Sequence, residues 1–414
     1  MTMKHLISGK VVVLGVCSSI SAYKAADICS KLMKLGVEVH VIMTANATKL
    51  ITPRVFQTLT HNDVTTDLWA VDNWKPEHTA LADKADLFVV VPATANFLGQ
   101  YANGLAPDAL STYALANRAP TVIFPAMNPF MWSNTAVRDN VATIRRRGAR
   151  VVTPASGIVA CGDEGVGKLP GVDAIVETIE AHLSILELAP APRSRVVVTA
   201  GPTEEHIDVV RFLTNRSTGK MGYCLAAAAA ALGHEVTLVS GPVDREAPLD
   251  VKLVRVSSAR DMLLAVQTAV TGADVLIMAA AVADYTYQDT QARKIKKAGD
   301  SLTLNLTRTI DILATISASP TRPKLVGGFA AESHDVIEYA LGKLERKGLD
   351  FIVANDISGS DRGFGSDHNE VAVLARGGNG DVVQTDVSFA RKMTVAAHIF
   401  DAAIHVSPGV SSSE

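Results

Sequence analysis

The fold is decided by an apolar stretch near the amino terminus, Lys10-Val11-Val12-Val13-Leu14-Gly15-Val16. Its β-branched composition is typical of a strand that is buried on both faces of a parallel sheet. The segment from Ser18 to Leu35 follows with apolar residues at helical spacing, Gly36 ends it, and Val37 to Met43 is a second apolar run. Strand, helix and strand in this order predict a βαβ unit of a doubly wound α/β sheet.

The same pattern begins again in the second half of the chain. Arg195 to Ala200 predicts a first strand, Met221 to Leu232 an Ala-rich helix, and Glu235 to Ser240 the next strand. A Pro-rich stretch separates the two halves and is typical of a linker. We therefore predict two tandem Rossmann-like domains with a linker between them and a disordered tail after them, at residues 1–188, 189–194, 195–406 and 407–414.

Composition narrows the class of protein. With 414 residues the chain is too long for one ordinary core, and its net charge of -3 provides no global basic field for nucleic acid. Its apolar runs are too short to span a bilayer. The four cysteines form no CxxC pair, so neither a zinc site nor a disulfide framework is indicated, and a cytoplasmic enzyme with reduced thiols is expected.

Polar residues follow the predicted strands of the first half. They occur in the loops Pro92-Ala93-Thr94-Ala95-Asn96, Pro125-Ala126-Met127-Asn128 and Ala160-Cys161-Gly162-Asp163. Ligands bind at the carboxyl ends of parallel strands, so these amide, hydroxyl and thiol groups are expected at one sheet edge. Such a site, with almost no acid, suits phosphate-bearing small molecules handled by an enzyme.

Three residue groups of this half have two possible roles. Ser18 and Ser19 lack the GxGxxG pattern of dinucleotide sites, but their hydroxyls can either hold a phosphate or cap a helix, with equal weight. Cys161 lies in a glycine-rich flap and either delivers a proton when the flap closes or is a surface thiol without a role. His78 opens a predicted helix, where a lone histidine is more often structural than catalytic.

The second half carries a different set of groups. Gly219-Lys220 is not a P-loop, because Met221 stands where a magnesium-binding hydroxyl is needed. Asp284 follows a buried strand, while Lys294-Ile295-Lys296-Lys297 and the pair Lys343 and Lys347 supply cations. A lysine run alone is usually solvated surface, but together these residues predict a triphosphate clamp in which Asp284 binds Mg2+.

The amino-terminal half resembles the flavin-dependent cysteine decarboxylases, specifically phosphopantothenoylcysteine decarboxylase. The motifs that carry the resemblance are Ser19 to Lys24, His78 ahead of Ala82 to Asp86, Pro92 to Asn96, Leu110 to Thr112, Pro125 to Asn128 with Met131-Trp132, and the Cys161 flap. Cys17-Ser18-Ser19 departs from the family, in which glycine is frequent at this turn.

This resemblance implies an FMN cofactor and roles for individual residues. The residues implied to contact the flavin or its phosphate are Ser18, Ser19, Thr44, Ser111 and Thr112. The substrate's CH2–SH group is oxidised, CO2 leaves, and the resulting ene-thiol is reduced with Cys161 donating the proton. His78 acts beside the flavin, Asn128 holds the substrate carboxylate, and Met131 belongs to the substrate site.

The carboxy-terminal half resembles phosphopantothenate–cysteine ligase, through motifs that include Thr199 to Glu204, Asn215 to Gly222, Ala279 to Tyr285 and Gly328 to Glu332. In bacterial members, CTP activates the phosphopantothenate carboxylate as an acyl-cytidylate, and the amine of cysteine then displaces CMP. The residues implied to contact CTP are Ala280, Asp284, Lys294, Ile310, Asp311, Ile312, Leu313, Phe329, Lys343 and Lys347.

Three further implications concern the ligase and its assembly. Lys294 serves formation of the acyl-cytidylate, Asn215 serves its turnover, and Arg211 supports the phosphopantothenate end or a dimer. The partners expected are these small-molecule substrates, with neither nucleic acid nor membrane. Trimeric decarboxylase domains and dimeric ligase domains in one chain imply a homo-oligomer, a dodecamer.

Two other classes of protein fit the sequence less well. A non-enzymatic flavoprotein that regulates a partner is disfavoured because His78, Asn128 and Cys161 are all present. A nicotinamide-dependent oxidoreductase is disfavoured because both first-strand turns lack the glycines it requires.

Overall fold

The computed structural model describes residues 7–69, 77–189, 191–296, 302–356, 358, 363 and 365–406, and only the backbone of 77–80 and 406. The predicted disordered tail, 407–414, lies outside the described residues. The chain divides into two compact units, Met1–Leu186 and Glu187–Glu414, each with its own sheet.

The first unit is built on six parallel strands. They are β1 (Val11–Val16), β2 (Glu38–Met43), β3 (Val64–Thr65), β4 (Leu87–Ala93), β5 (Thr121–Pro125) and β6 (Arg150–Val151). Their order in the sheet is β3-β2-β1-β4-β5-β6. Without the two-residue β3, the other five strands have the order typical of flavodoxin-like sheets, which confirms the predicted fold class.

Helices cover both faces of this sheet, and a hairpin follows it. The helices are α1 (Lys24–Lys34), α2 (Pro53–Thr60), α3 (Glu77–Lys84), α4 (Ala95–Asn103), α5 (Ala109–Ala116), α6 (Pro129–Ser133), α7 (Thr135–Arg146) and α8 (Val172–Ser184). The hairpin consists of β7 (Ala155–Ile158) and β8 (Glu164–Lys168). The single helix predicted from Ser18 to Leu35 is instead a 3-10 helix, Ile20–Tyr23, followed by α1, because Ser19 caps a short first turn.

The second unit has an eight-stranded sheet and two small hairpins. The sheet consists of β9 (Arg195–Ala200), β12 (Glu235–Ser240), β13 (Lys252–Arg255), β14 (Val275–Met278), β17 (Leu325–Glu332), β18 (Phe351–Asp356), β19 (His368–Arg376) and β20 (Val382–Arg391). Their order is β13-β12-β9-β14-β17-β18-β19-β20, with the last two antiparallel. The hairpins are β10 (Glu204–His206) with β11 (Phe212–Thr214), and β15 (Tyr285–Tyr287) with β16 (Leu306–Arg308).

The described part of the second unit also contains five helices. They are α9 (Lys220–Ala231), α10 (Ala259–Ala269), α11 (Ile312–Ser317), α12 (Val336–Arg346) and α13 (Lys392–Val406). Apolar residues of α10, α11 and α12 share one core cluster on one face of the sheet, while α9 and α13 pack against each other on the other face. A Cβ on Gly327 would lie 2.1 Å from the Phe351 ring, so β17 needs glycine to lie against β18 here. The first six strands have the Rossmann order, whose switch point lies between β9 and β14.

Candidate active sites

The first candidate site lies at the carboxyl ends of β1 and β4, where the strand order of the first sheet reverses. The Cys17 amide donates to the carbonyl oxygen of Pro92 at 3.1 Å and ties the two strand ends together. A Cβ on Gly15 would lie 2.6 Å from a methyl group of Leu110, so α5 approaches β1 as closely as glycine permits. The turn after β1, the segment after β4 and α5 therefore meet at one edge, where such sheets bind ligands.

Hydroxyl groups collect on the β1 and β2 side of this edge. Ser19 caps the 3-10 helix, its Oγ accepting from the Ser21 amide at 3.5 Å and lying 3.0 Å from the Ser21 hydroxyl. The Thr44 amide donates to the carbonyl oxygen of Val16 at 3.1 Å, which brings Thr44 to the end of β1. The capping role of Ser19 is therefore real, and the neutral donor set, with Ser18 beside it, also fits a phosphate.

Ser111 and Thr112 reach the same edge through α5. Ser111 is buried and donates to the Asp108 carboxylate at 2.6 Å, within a capping box that begins the helix. Thr112 donates to the carbonyl oxygen of Ala106 at 3.3 Å. The Ser111 side chain and the Asp108 carboxylate are therefore held together at the start of α5.

The two thiols of the first site have different environments. Burial raises the pKa of the Cys17 thiol to about 12, although hydrogen bonds with Thr94 act in the opposite direction. Cys17 therefore stays a protonated core residue. Cys161 is exposed, so it is the thiol that can meet a substrate.

The sequence-predicted residues Asn128 and Cys161 are in contact. Asn128 Nδ2 lies 3.2 Å from Cys161 Sγ and 2.5 Å from Asp163 Oδ2, and the Cys161 thiol donates to the same Asp163 oxygen at 3.2 Å. The other end of the Asn128 side chain accepts from the Phe130 amide at 2.8 Å, capping α6. One carboxylate thus fixes both the amide and the thiol at the strand edge.

The β7–β8 hairpin is held against the loop after β5 by its glycines. The Met127 amide donates to the carbonyl oxygen of Gly167 at 3.0 Å. A Cβ on Gly167 would lie 2.3 Å from the Met127 oxygen, and one on Gly165 would lie 2.9 Å from Pro129. The hairpin that carries Cys161 therefore lies directly on the segment that carries Asn128.

Two predicted residues of this site are less constrained. Met131 lies in α6, three residues after Asn128, and is exposed. His78 lies in the first turn of α3, but its side chain is outside the described part of the chain. The predicted roles of both therefore stay predictions.

The second candidate site is a cavity of about 830 Å³ at the carboxyl edge of the second sheet. It lies at the ends of β14, β17 and β18 and at the start of α9. Nine of the ten residues predicted to contact CTP line it, namely Ala280, Asp284, Ile310, Asp311, Ile312, Leu313, Phe329, Lys343 and Lys347. Segments more than 60 residues apart in sequence thus form one cavity.

The segment after β14, residues 279–284, lines this cavity. Hydrogen bonds to β9 and to the loop after β9 hold it there. The Ala280 amide donates to the Thr199 hydroxyl at 3.1 Å, and the Ala283 amide donates to the Thr203 hydroxyl at 3.0 Å. This path delivers Asp284 to the cavity, where it is exposed. Among the described side chains, none forms an ion pair or hydrogen bond with the Asp284 carboxylate, and this fits a group that meets a hydrated cation.

The α11–α12 side of the cavity carries two paired lysines. Lys347 pairs with Asp311 at 2.9 Å, and Lys343 pairs with Glu332 at 2.5 Å. Burial raises the pKa of Asp311, but the Lys347 ammonium and the Ala314 amide outweigh it and lower that pKa. Both lysines are therefore held in place by carboxylates, and two positioned ammonium groups suit an anionic ligand.

Asn215 is brought to the cavity, whereas Lys294 and Arg211 are not. Asn215 lines the cavity and donates from Nδ2 to the carbonyl oxygen of Ala281 at 2.9 Å. Lys294 is exposed and is not among the described residues that line the cavity. Arg211 donates to the carbonyl oxygen of Ile295 at 2.6 Å and pairs with Asp208, so it anchors the segment that carries Lys294.

Several polar residues of the two sites have no individual role in the sequence interpretation. In the first site, Asp163 is only part of the predicted flap, although it stands two residues from Cys161. In the second site, Lys220 and Asn355 stand in motifs without an assigned role, and Asn369 and Lys392 are not singled out at all. Asn369 and Lys392 belong to β19 and α13, and no local pattern in the sequence connects these elements with Asp284.

Thus the fold and the two sites define a two-domain α/β enzyme, with a flavodoxin-like unit followed by a Rossmann-like unit. Two family models match the chain: "Flavoprotein" over residues 2–184 and "DNA/pantothenate metabolism flavoprotein C-terminal domain" over residues 192–406. The amino-terminal half is therefore a flavoprotein domain. No helix in the described part of the chain is long and apolar enough to cross a membrane.

Relatives of known identity cover the chain almost end to end. The coenzyme A biosynthesis bifunctional protein CoaBC of Bacillus subtilis (strain 168) is 42% identical over 95% of this chain and 98% of its own length. That of Escherichia coli (strain K12) is 40% identical over 90% and 92%. A crystal structure of the C-terminal domain of CoaBC is 40% identical, with a TM-score of 0.43, over 52% of this chain and 96% of that chain.

The chain belongs to the family of coenzyme A biosynthesis bifunctional proteins CoaBC. The prediction of a bifunctional enzyme of coenzyme A synthesis that acts on small molecules is thereby confirmed.

Proposed function

We propose that the two units catalyse consecutive steps of coenzyme A synthesis. The carboxy-terminal unit joins cysteine to 4'-phosphopantothenate at the expense of CTP. The amino-terminal unit decarboxylates the product, 4'-phosphopantothenoylcysteine, to 4'-phosphopantetheine with bound FMN. The order follows from the chemistry, since the ligase makes the carboxylate and thiol that the decarboxylase needs.

The cavity of the second unit is the observation that carries the ligase proposal. It combines two positioned ammonium groups, Lys343 and Lys347, with the carboxylate of Asp284 and the ring of Phe329. Cations suit a triphosphate, and an aromatic ring suits a base. Rossmann-type sheets bind nucleotides at the point where their strand order reverses.

Ligation requires two displacements at this site. A carboxylate oxygen of phosphopantothenate attacks the α-phosphorus of CTP, and pyrophosphate leaves. The cysteine amine then attacks the acyl carbon, CMP leaves with its oxygen, and the amine loses a proton. Asn215, fixed by the Ala281 carbonyl oxygen, faces the acyl group during the second displacement. Lys294 is exposed and lies outside the described lining of the cavity, so its role in neutralising the oxygens of the first displacement rests on the resemblance alone.

A magnesium ion fits this site at Asp284. Mg2+ in nucleotide sites is commonly held by one or two carboxylates together with phosphates and water. Asp284 supplies one exposed carboxylate in the cavity, while Asp311 is engaged by Lys347. We assign Asp284 rather than Asp311 to the ion for that reason.

The decarboxylase proposal rests on the contact of Asn128, Cys161 and Asp163. FMN, held by Ser18, Ser19, Thr44, Ser111 and Thr112, would supply oxidation of the substrate's thiol-bearing carbon and the later return of the electrons. Asn128 binds the substrate carboxylate. Cys161 donates the proton that completes the product, and His78 assists during oxidation and decarboxylation. The exposed thiol beside the amide supports this division of roles.

Phosphopantothenate-dependent exchange of labelled pyrophosphate into CTP, without cysteine, tests the ligase. We expect exchange with CTP and little with ATP. Exchange that prefers ATP would contradict the assigned nucleotide, and exchange without phosphopantothenate would contradict the acyl-cytidylate. The decarboxylase is tested by the absorbance of the purified protein, which should carry the spectrum of FMN.

We also propose a cytoplasmic homo-oligomer, assembled as decarboxylase trimers and ligase dimers into a dodecamer. Four free thiols support a reducing compartment. Exposed apolar side chains support assembly through both units, with Phe130 and Ile158 in the first and Val209 and Val210 in the second. Light scattering on the purified chain should give the mass of twelve copies, and a monomer or dimer would contradict it.

A further inference from the structure

At one end of the cavity of the second unit, no residue has been assigned to bind the nucleotide or the acyl group. We call this end the α13 end and define it by Asn355, Asn369 and Lys392. Asn355 is the next-to-last residue of β18, Asn369 is the second residue of β19 and Lys392 is the first residue of α13. The paired lysines lie instead on the side of α11 and α12, so the α13 end is a separate region of the same cavity.

Within the described part of the chain, two amide oxygens at the α13 end accept no hydrogen bond. The Oδ1 atoms of Asn355 and Asn369 are buried, and among the described residues neither has a hydrogen-bond partner. Asn369 as a whole is only 1% exposed and lines the cavity. A buried acceptor without a donor is costly, and so a ligand group that donates is expected there.

Lys392 gives the α13 end a positive charge. It is 3% exposed, lines the cavity, and donates from Nζ to the carbonyl oxygen of Gly363 at 2.7 Å. Lys220, which also lines the cavity, pairs with Asp367. A buried ammonium can bind a carboxylate while it keeps its bond to a carbonyl oxygen, because it has three protons.

The two amide oxygens and the one ammonium group of the α13 end favour an α-amino acid over a phosphate as the ligand. A phosphate at neutral pH presents almost only acceptors, and these would face the two amide oxygens unfavourably. An α-amino acid presents an amino group that donates and a carboxylate that pairs with an ammonium. The α13 end has both complements within one cavity.

We propose that the α13 end is the subsite for cysteine in the ligase reaction. Asn355 and Asn369 accept hydrogen bonds from its amino group, and Lys392 pairs with its carboxylate. This inference rests on the proposed ligase function. It adds residues that bind cysteine, the amine that accepts the acyl group, and the nucleotide site does not supply such residues.

Three variants test the subsite in the full chain. Asn369→Leu should raise the KM for cysteine about tenfold or more, because it removes an acceptor for a charged donor. Asn369→Asp, which keeps the acceptor, should leave that KM within about twofold. Lys392→Met should raise the KM for cysteine about tenfold but not that for cysteamine, which lacks the carboxylate. Lys252→Met, at an exposed site on β13, is the matched control.

Pyrophosphate–CTP exchange without cysteine separates this inference from the proposed function. Normal exchange in each variant shows that the site is folded and that acyl-cytidylate formation is intact. Normal exchange with an unchanged KM for cysteine contradicts the subsite alone. A raised KM for CTP or phosphopantothenate in Asn369→Asp, with cysteine unaffected, also overturns it, since a phosphate would then bind there. No exchange in the unmodified enzyme contradicts the proposed function and the subsite with it.

Discussion

Asp163 provides a sharp test of the decarboxylase site, because one of its oxygens holds both predicted catalytic groups. Its Oδ2 accepts from Asn128 Nδ2 at 2.5 Å and from the Cys161 thiol at 3.2 Å. The Asp163→Ala variant removes both hydrogen bonds, so Asn128 keeps only its bond from the Phe130 amide and its contact with Cys161, and the thiol loses its carboxylate partner. We expect the substrate carboxylate and the proton donor to lose their common orientation.

The magnitude follows from the number and exposure of these bonds. A hydrogen bond to a charged group contributes about 1.5–3 kcal/mol. Asp163 is half-buried and Cys161 is exposed, and so solvent competes and the lower end applies to the pair as a whole. A loss of about 1.5 kcal/mol corresponds to about a tenfold lower kcat/KM for decarboxylation.

The assay follows CO2 and phosphopantetheine from 4'-phosphopantothenoylcysteine. Because Asp163 acts on the proton donor as well as on the carboxylate contact, phosphopantetheine should decrease more than CO2. The ligase reaction of the same chain should be unchanged, and Glu164→Gln, the neighbouring exposed acid on β8, is the matched control. An Asp163→Ala enzyme with wild-type rates, or with equal loss of CO2 and phosphopantetheine, would refute the positioning role.

Three further predictions concern single residues. Cys161→Ser should release CO2 at a reduced rate and accumulate the ene-thiol, since no thiol completes the product; normal phosphopantetheine formation would contradict the proton-donor role. Lys294→Gln should abolish ligation and pyrophosphate exchange with decarboxylation untouched, whereas equal loss of both activities would indicate misfolding. Burial raises the pKa of Asp208, but hydrogen bonds from the amides of Ile295, Val210 and Arg211 outweigh it and lower that pKa to about 2. Its stabilisation is therefore complete above the ordinary carboxyl pKa of about 4 and disappears as pH falls through about 2. Asp208→Asn should be less stable than wild type in urea at pH 7, and the gap should close towards pH 2; a gap independent of pH would contradict this.

The strands could be predicted from sequence because they are almost completely buried. Each one therefore appears in the sequence as a continuous apolar run, which can be recognised without knowing the rest of the chain. Arg195–Ala200 and Glu235–Ser240 have the predicted bounds, and β1 differs by one residue. The apolar spacing after β1 predicts one continuous helix, because such spacing does not distinguish a 3-10 turn from the first turn of an α-helix. The capping geometry of Ser19 decides that difference.

The sites were predictable only where their residues stand in compact motifs. Asn128 and Cys161 belong to such motifs, and their contact follows from hairpin glycines that bring β8 onto the loop after β5. Lys392 stands more than 100 residues after Asp284, and only the order of β14, β17, β18 and β19 brings both to one cavity. Such proximity depends on strand order in the sheet, which spacing along the chain does not encode.

The stoichiometry of the complete reaction tests the central claim most directly. The purified full-length chain is given phosphopantothenate, cysteine, Mg2+ and CTP, while pyrophosphate and CO2 are followed together in time. Two consecutive sites in one chain predict that pyrophosphate appears first and that CO2 then accumulates to an equal amount. Release of CO2 without pyrophosphate, or of pyrophosphate with no CO2 from flavin-loaded protein, would contradict the account.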